Sequence, residues 1–181
     1  MARVILVTGG GRSGKSTFAQ RLAESMTGRR AYIATCPVID DEMAERVRKH
    51  REARSAAAWT TIEEPLDLAS VLRSDGGHGI CLVDCLTLWV NNLLYEAGKE
   101  GRDVTEEEIA RSCSEILEAG KGRPGTVIFV TNEVGLGIIP ENPLARRYRD
   151  LAGRCNQVIA AGAETVVLLV SGIPVTIKGS L

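Results

Sequence analysis

The sequence predicts an α/β protein with a mostly parallel sheet flanked by helices, and three observations lead there. Short β-branched runs alternate with stretches of helical character through the 181 residues. Most of the runs are apolar almost throughout instead of alternating, which is the pattern of strands buried on both faces beneath covering helices. A glycine cluster then joins the first run to the first helical stretch, at the carboxyl edge where open α/β sheets bind ligands.

Taken in order, the first strand is expected over residues 4–8, and a helix over 14–26 follows the glycines. A second strand is expected over 31–35. The helix expected over 40–54 opens on Asp40, Asp41 and Glu42 and closes on Arg51 and Arg54, matching charge to the two helix ends. A third strand is expected over 80–83. Thr105-Glu106-Glu107-Glu108 reads as an N-cap and capping box opening a helix that runs to 119. Strands at 126–131 and 165–170 bracket a helix over 143–161. A last segment, 174–178, adds an antiparallel edge strand by a tight reversal at Gly172. Polar, glycine-rich loops are expected at 74–79, 97–103 and 120–125. With no repeat, low-complexity tract or dividing linker, residues 1–181 read as a single domain.

Net charge is −1, from 22 Lys and Arg against 23 Asp and Glu, so no global field draws the chain to nucleic acid or to an anionic membrane. Any bound anion must be held locally. The amino terminus enters a strand without a signal-like apolar region, and no apolar run approaches the roughly 20 residues a bilayer requires. The expectation is a cytoplasmic protein with no membrane insertion. Five scattered cysteines without a Cys-x-x-Cys pair fit a reducing compartment better than disulfides or a zinc site.

Gly9-Gly10-Gly11-Arg12-Ser13-Gly14-Lys15-Ser16 satisfies GxxxxGK[ST] between an expected strand and an expected helix. Glycines let backbone N–H groups curl around phosphate oxygens, and the following helix N-terminus favours negative charge. Lys15 would then reach the β and γ phosphates and Ser16 would ligate Mg²⁺. Such a site also needs an acid at the end of a neighbouring strand for the Mg²⁺ shell. Asp84, which closes the third run, is placed for it; the alternative is an ordinary turn aspartate. Thr131-Asn132-Glu133 ends another strand at the same edge, although loop solvation explains Asn132 and Glu133 nearly as well. A guanine-reading Asn-Lys-x-Asp segment is absent, which weighs against a signalling GTPase.

Of the two histidines, His78 lies in Gly76-Gly77-His78-Gly79 and is expected at a loop tip. His50 stands among Arg46, Arg48, Lys49, Arg51 and Arg54, with Arg46 and Arg54 one helical turn away on its own face. A solvated basic face is the bland reading. The sharper one is a nucleophile, because neighbouring cations disfavour protonation and a neutral imidazole can attack phosphorus.

These residues, taken with later segments, closely resemble the bifunctional adenosylcobinamide kinase / adenosylcobinamide-phosphate guanylyltransferase family of cobalamin biosynthesis. The resemblance runs over nearly the full length. It is carried by the glycine loop from Thr8, by Tyr32-Ile33-Ala34-Thr35, by Asp40-Asp41-Glu42-Met43 with Arg46 and His50, and by Trp59 and Glu63. It continues through the segment 84–93, Thr131-Asn132-Glu133-Val134-Gly135, Ile139-Pro140-Glu141-Asn142, Arg149-Asp150, Gly153, Asn156-Gln157 and Val170-Ser171-Gly172.

The resemblance implies a RecA-like P-loop NTPase fold, a homotrimer and two reactions. In the first, adenosylcobinamide takes a phosphoryl group from ATP or GTP. In the second, GTP gives GMP through a guanylylated histidine to adenosylcobinamide phosphate, releasing pyrophosphate. That histidine falls on His50. The family's nucleotide contacts fall on Gly9 to Ser16, on Thr35, Cys36 and Pro37, on Glu52, Ala53, Arg54 and Ser55, and on Glu63 and Asp84. Cys36 stands where serine is frequent, so its side chain is given no polar role. Asp84 and Glu133 are both open as the base of the kinase step, and Trp59 and Trp89 suit core better than a corrinoid cleft. A single-activity small-molecule kinase and a non-enzymatic GTP switch are the competing readings.

Overall fold

The computed structural model describes residues 1–36, 58–74 and 76–181. In chain order these form β1 (Arg3–Gly9), α1 (Lys15–Glu24), β2 (Arg30–Ala34), β3 (Trp59–Glu63), α2 (Leu68–Arg73), β4 (Ile80–Asp84) and α3 (Leu86–Lys99). There follow α4 (Glu106–Gly122), β5 (Thr126–Val130), a 3-10 turn (Val134–Leu136), α5 (Pro143–Gly162), β6 (Thr165–Val170) and β7 (Ile173–Lys178). One seven-stranded sheet holds the strands in the order β3-β2-β4-β5-β1-β6-β7. Among the described strands, only the β6–β7 pair is antiparallel. The expected fold class, including its antiparallel carboxyl-terminal edge, is therefore the observed one.

Period-two alternation explains why the central runs are apolar throughout. Val4 and Leu6 of β1, Val83 of β4 and Phe129 of β5 face a core closed by Leu72 of α2, Trp89 of α3, Ile116 of α4 and Leu151 of α5. Ile5, Val7, Leu82, Ile128 and Val167 face the other way, onto Ala19 and Ala23 of α1. Two alanines at that contact let α1 lie close against the strands.

Local chemistry sets the helix ends as expected. Thr105 Oγ1 accepts from Glu108 N at 3.2 Å while Glu108 Oε2 accepts from Thr105 N at 2.7 Å, a complete capping box for α4. Asn142 Oδ1 accepts from Ala145 N at 3.1 Å, and Pro143 begins α5. Gly125, at φ 90°, leads into β5 where a Cβ would lie 1.9 Å from the Gly79 carbonyl oxygen, so only glycine fits. The reversal between β6 and β7 is made by Ser171 and Gly172, both at positive φ.

Several elements differ from expectation. β3, α2 and α3 were not foreseen as elements. β3 is an edge strand whose residues are half-buried or exposed, so its apolar signal is weak, and α2 spans six residues. The loop expected at 97–103 starts inside α3, and α4 extends to Gly122, into the loop expected at 120–125. His78 is a correction: it is 8% exposed instead of standing at a loop tip, and its carbonyl accepts from Arg123 at 2.6 Å. Trp89 is core at 2% exposure, its indole N–H donating to Leu66 O at 2.7 Å. Trp59 is half-buried, donates to Glu24 and meets Tyr32 edge-on. The helix expected over 40–54 lies outside the described residues.

Candidate active site

The site begins where β1 becomes α1. Gly9 packs so closely on β6 that a Cβ would stand 2.6 Å from the Leu169 carbonyl oxygen and 2.7 Å from Ser13 Oγ. Arg12 at φ 56° and Gly14 at φ 90° take left-handed backbone that curls the loop. Ser13 N donates to Gly10 O at 3.3 Å within it. From outside, Gly172 N donates to Ser13 O at 2.9 Å, so the β6–β7 reversal props the loop. A Cβ on Gly10 or Gly11 would meet nothing within 4 Å, which leaves that stretch of backbone open to a ligand.

Lys15 folds back over the loop and donates to Gly10 O at 2.9 Å. It is 7% exposed, and burial holds its ammonium below the ordinary lysine value, opposed by Cys85 and Asp84. A buried cation whose partner among the described residues is one carbonyl is poised to exchange it for a phosphate oxygen. Ser13 Oγ is buried with no hydrogen-bond partner among the described residues, which leaves it open to a ligand. Ser16, half-buried, sits in the first turn of α1.

Beside the loop, β5 ends in a polar network. Glu133 N donates to Gly9 O at 3.1 Å, and Glu133 Oε1 accepts from Thr8 Oγ1 at 2.5 Å and from Asn156 Nδ2 at 3.4 Å. Asn156 Nδ2 also donates to Asn132 O at 3.0 Å, while Asn156 Oδ1 accepts from Thr131 Oγ1 at 2.6 Å. Asn132 in turn donates to Thr87 Oγ1 at 2.7 Å. One asparagine on α5 thus joins three consecutive residues after β5, and through Glu133 the phosphate loop.

Asp84 ends β4, half-buried, with Oδ2 accepting from Tyr32 at 3.0 Å. Here the strand order corrects the expectation of a neighbouring strand: β5 lies between β1 and β4. Asp84 nonetheless acts electrostatically on Lys15, so it borders the same crevice. Thr35 is fully buried; its hydroxyl donates to Cys85 O at 2.8 Å and accepts from Cys85 N at 2.7 Å. Asn92 takes its carbonyl at 2.8 Å. Thr35 therefore ties β2 to β4 behind the crevice. Cys85 itself is pushed up to about 11 by burial and by the Asp84 charge.

Glu63 is exposed on β3, four strands from β1 or about 19 Å, so it is not brought to the glycine loop. Cys36 is half-buried just beyond β2. Pro37, His50, Glu52, Ala53, Arg54 and Ser55 lie outside the described residues. Thr8, Thr87 and Asn156 carry the network without having been singled out for it. A readable signal exists for Asn156, a polar residue within the buried stripe Leu151, Ala152, Cys155 and Ile159 of α5.

Ser16 and Asp84 present hard oxygen donors, and no cluster of three His, Cys, Asp or Glu exists among the described residues. The two oxygen donors fit Mg²⁺, which binds one or two protein oxygens together with substrate phosphates.

A family model described as cobinamide kinase / cobinamide phosphate guanyltransferase matches residues 5–177. The chain belongs to this family. It is 45% identical over 175 residues to the bifunctional adenosylcobalamin biosynthesis protein CobP of Pseudomonas aeruginosa, covering 96% of each chain. It is 42% identical over 182 residues to the bifunctional adenosylcobalamin biosynthesis protein CobU of Escherichia coli, and 43% identical to that of Salmonella typhimurium. In both cases the match covers 97% of this chain and 99% of the relative. Membership thus spans the glycine loop, the β5 network and all seven strands. Among the described residues no helix is long and apolar enough to cross a membrane.

Proposed function

We propose that this chain is a bifunctional enzyme of adenosylcobalamin biosynthesis. It phosphorylates adenosylcobinamide with ATP or GTP, then transfers GMP from GTP to adenosylcobinamide phosphate, giving adenosylcobinamide-GDP and pyrophosphate. The observation that carries the reading is the near-full-length likeness to relatives named as bifunctional adenosylcobalamin biosynthesis proteins. The phosphate loop supports it, with a buried lysine held, among the described residues, by a backbone carbonyl.

In this reading residues 9–16 cradle the polyphosphate, and Lys15 leaves Gly10 O for a phosphate oxygen as the charge moves during transfer. Ser16 and Asp84 hold Mg²⁺, which neutralises phosphate charge when bound. His50 is the nucleophile toward the α-phosphorus, dividing guanylyl transfer into two displacements. Cys36, Pro37, Glu52, Ala53, Arg54 and Ser55 complete the nucleotide contacts, with Thr35 acting from behind the crevice and Glu63 meeting the end of the nucleotide remote from the glycine loop. The chain works as a single-domain homotrimer in the cytoplasm. The test is mass spectrometry with peptide mapping after exposure to GTP and Mg²⁺. A GMP adduct on the peptide carrying His50, absent from His50→Ala, is expected; an adduct that survives the substitution sinks the histidine's role. A protein that phosphorylates adenosylcobinamide but never forms the adduct would be a single-activity kinase.

A further inference from the structure

Phosphorylation of an alcohol requires a group to receive the hydroxyl proton, and we infer that this group is Glu133, an assignment that rests on the kinase half of the function proposed above. Among the described residues, the strand ends at the carboxyl edge carry Glu63 on β3 and Glu64 just after it, Asp84 on β4 and Glu133 after β5. Glu63 is four strands from the glycine loop. Glu64 Oε1 accepts from Leu66 N and Asp67 N, both at 2.8 Å, and so serves its own turn. Asp84 acts on the buried Lys15 cation and accepts from Tyr32. Asp84 is thus already engaged by a cation and a hydroxyl, and its strand does not adjoin β1.

Glu133 differs on each count. Its strand adjoins β1, and its backbone N–H is bonded to Gly9 O at 3.1 Å, so it is anchored at the first residue of the loop. One carboxylate oxygen is oriented by neutral donors, Thr8 Oγ1 at 2.5 Å and Asn156 Nδ2 at 3.4 Å. It enters no ion pair among the described residues, and it is half-buried, hence within reach of solvent and substrate. Thr8 and Asn156 are its positioning residues.

The acceptor hydroxyl gives its proton to the Glu133 carboxylate as its oxygen bonds to the γ-phosphorus. The bond from that phosphorus to the β,γ-bridging oxygen breaks, and its electron pair leaves with the nucleoside diphosphate. Solvent later takes the proton from Glu133. Guanylyl transfer has no such demand, because its nucleophiles are an imidazole nitrogen and then a phosphate oxyanion.

The ratio of the two activities is therefore the readout. Glu133→Gln keeps an oxygen to accept from Thr8 and Asn156, keeps the backbone bond to Gly9, and removes only the basicity. Single-turnover phosphorylation of adenosylcobinamide by ATP is compared with guanylylation of the protein by GTP. The expected fall in the kinase-to-guanylylation ratio is about 10²–10⁴-fold. A fall below about tenfold, including proportional loss of both activities, overturns the assignment and leaves Glu133 a structural tie of the loop; any larger fall supports it. Glu133→Asp, which retracts the carboxylate by one methylene, is read by the same threshold should the glutamine variant fail to fold, and its ratio should exceed that of a folded glutamine variant. A wild-type protein with neither activity brings down the parent reading; a wild type with both and an unmoved variant ratio brings down Glu133 alone.

Discussion

Lys15 and Cys85 share a buried corner at the carboxyl edge of the sheet and respond to it in opposite directions. Burial lowers the ammonium and raises the thiol, so each is pushed toward its neutral form, and each partly relieves the other. The thiol value rises from the ordinary 9.0 to about 11. Between these two values the folded chain binds more protons at this residue than the unfolded chain does, so stability attributable to Cys85 is present below 9 and is lost as pH climbs toward 11. Thermal melting over that range should therefore fall more steeply for the wild type than for Cys85→Ser. At pH 8, iodoacetamide should modify the half-buried Cys36 first and leave the buried Cys81, Cys85, Cys113 and Cys155 until the protein unfolds. Rapid native labelling of Cys85, read by peptide mass, would contradict that burial. The places of Lys15 at the start of α1 and of Asp84 at the end of β4 were legible from motif and strand. The positions of Thr8 and Thr87 were not, because a hydrogen-bond network joins residues from four elements and has no spacing in the sequence; Asn156 is marked only as a polar residue in the buried stripe of α5.

At the scale of elements, legibility followed the strength of local signals. The capping box of α4 was readable because its two bonds join residues three apart. Substituting Thr105→Ala removes the hydroxyl that accepts from Glu108 N, at a cost of about 1 kcal/mol. For a domain of this size that corresponds to a melting temperature lower by about 2–4 °C, and an unchanged melting curve would mean that water replaces the cap without loss. α3 was missed although Leu86, Trp89, Val90, Leu93, Leu94 and Ala97 follow a helical period. β3 was missed for a better reason. An edge strand with no fully buried residue has little apolar pattern to read, and its place in the fold is set by pairing with β2.

Over the whole molecule, the described helices cover the sheet unequally, and the inequality links stability to function. Among the described residues, four helices, α2 to α5, close one face, whereas α1 is the helix whose buried residues join the other core. α1 also begins at Lys15, so its seating on the strands sets where the lysine and Ser16 stand. Ala19 and Ala23 are both fully buried at that contact, and a larger side chain there cannot be absorbed without lifting the helix. Ala19→Leu should cost about 1–3 kcal/mol by overpacking and, because the helix carries the loop with it, should also weaken nucleotide binding. Ile116→Ala on α4 should cost about 2–5 kcal/mol by opening a cavity in the opposite core, yet leave nucleotide affinity within about twofold, since distant sites without shared partners act independently. Melting curves and nucleotide titrations of the two variants separate the cases. Equal losses of affinity would mean that the sheet transmits strain between its faces. A loss confined to Ala19→Leu would locate the coupling in the one helix that leaves the glycine loop.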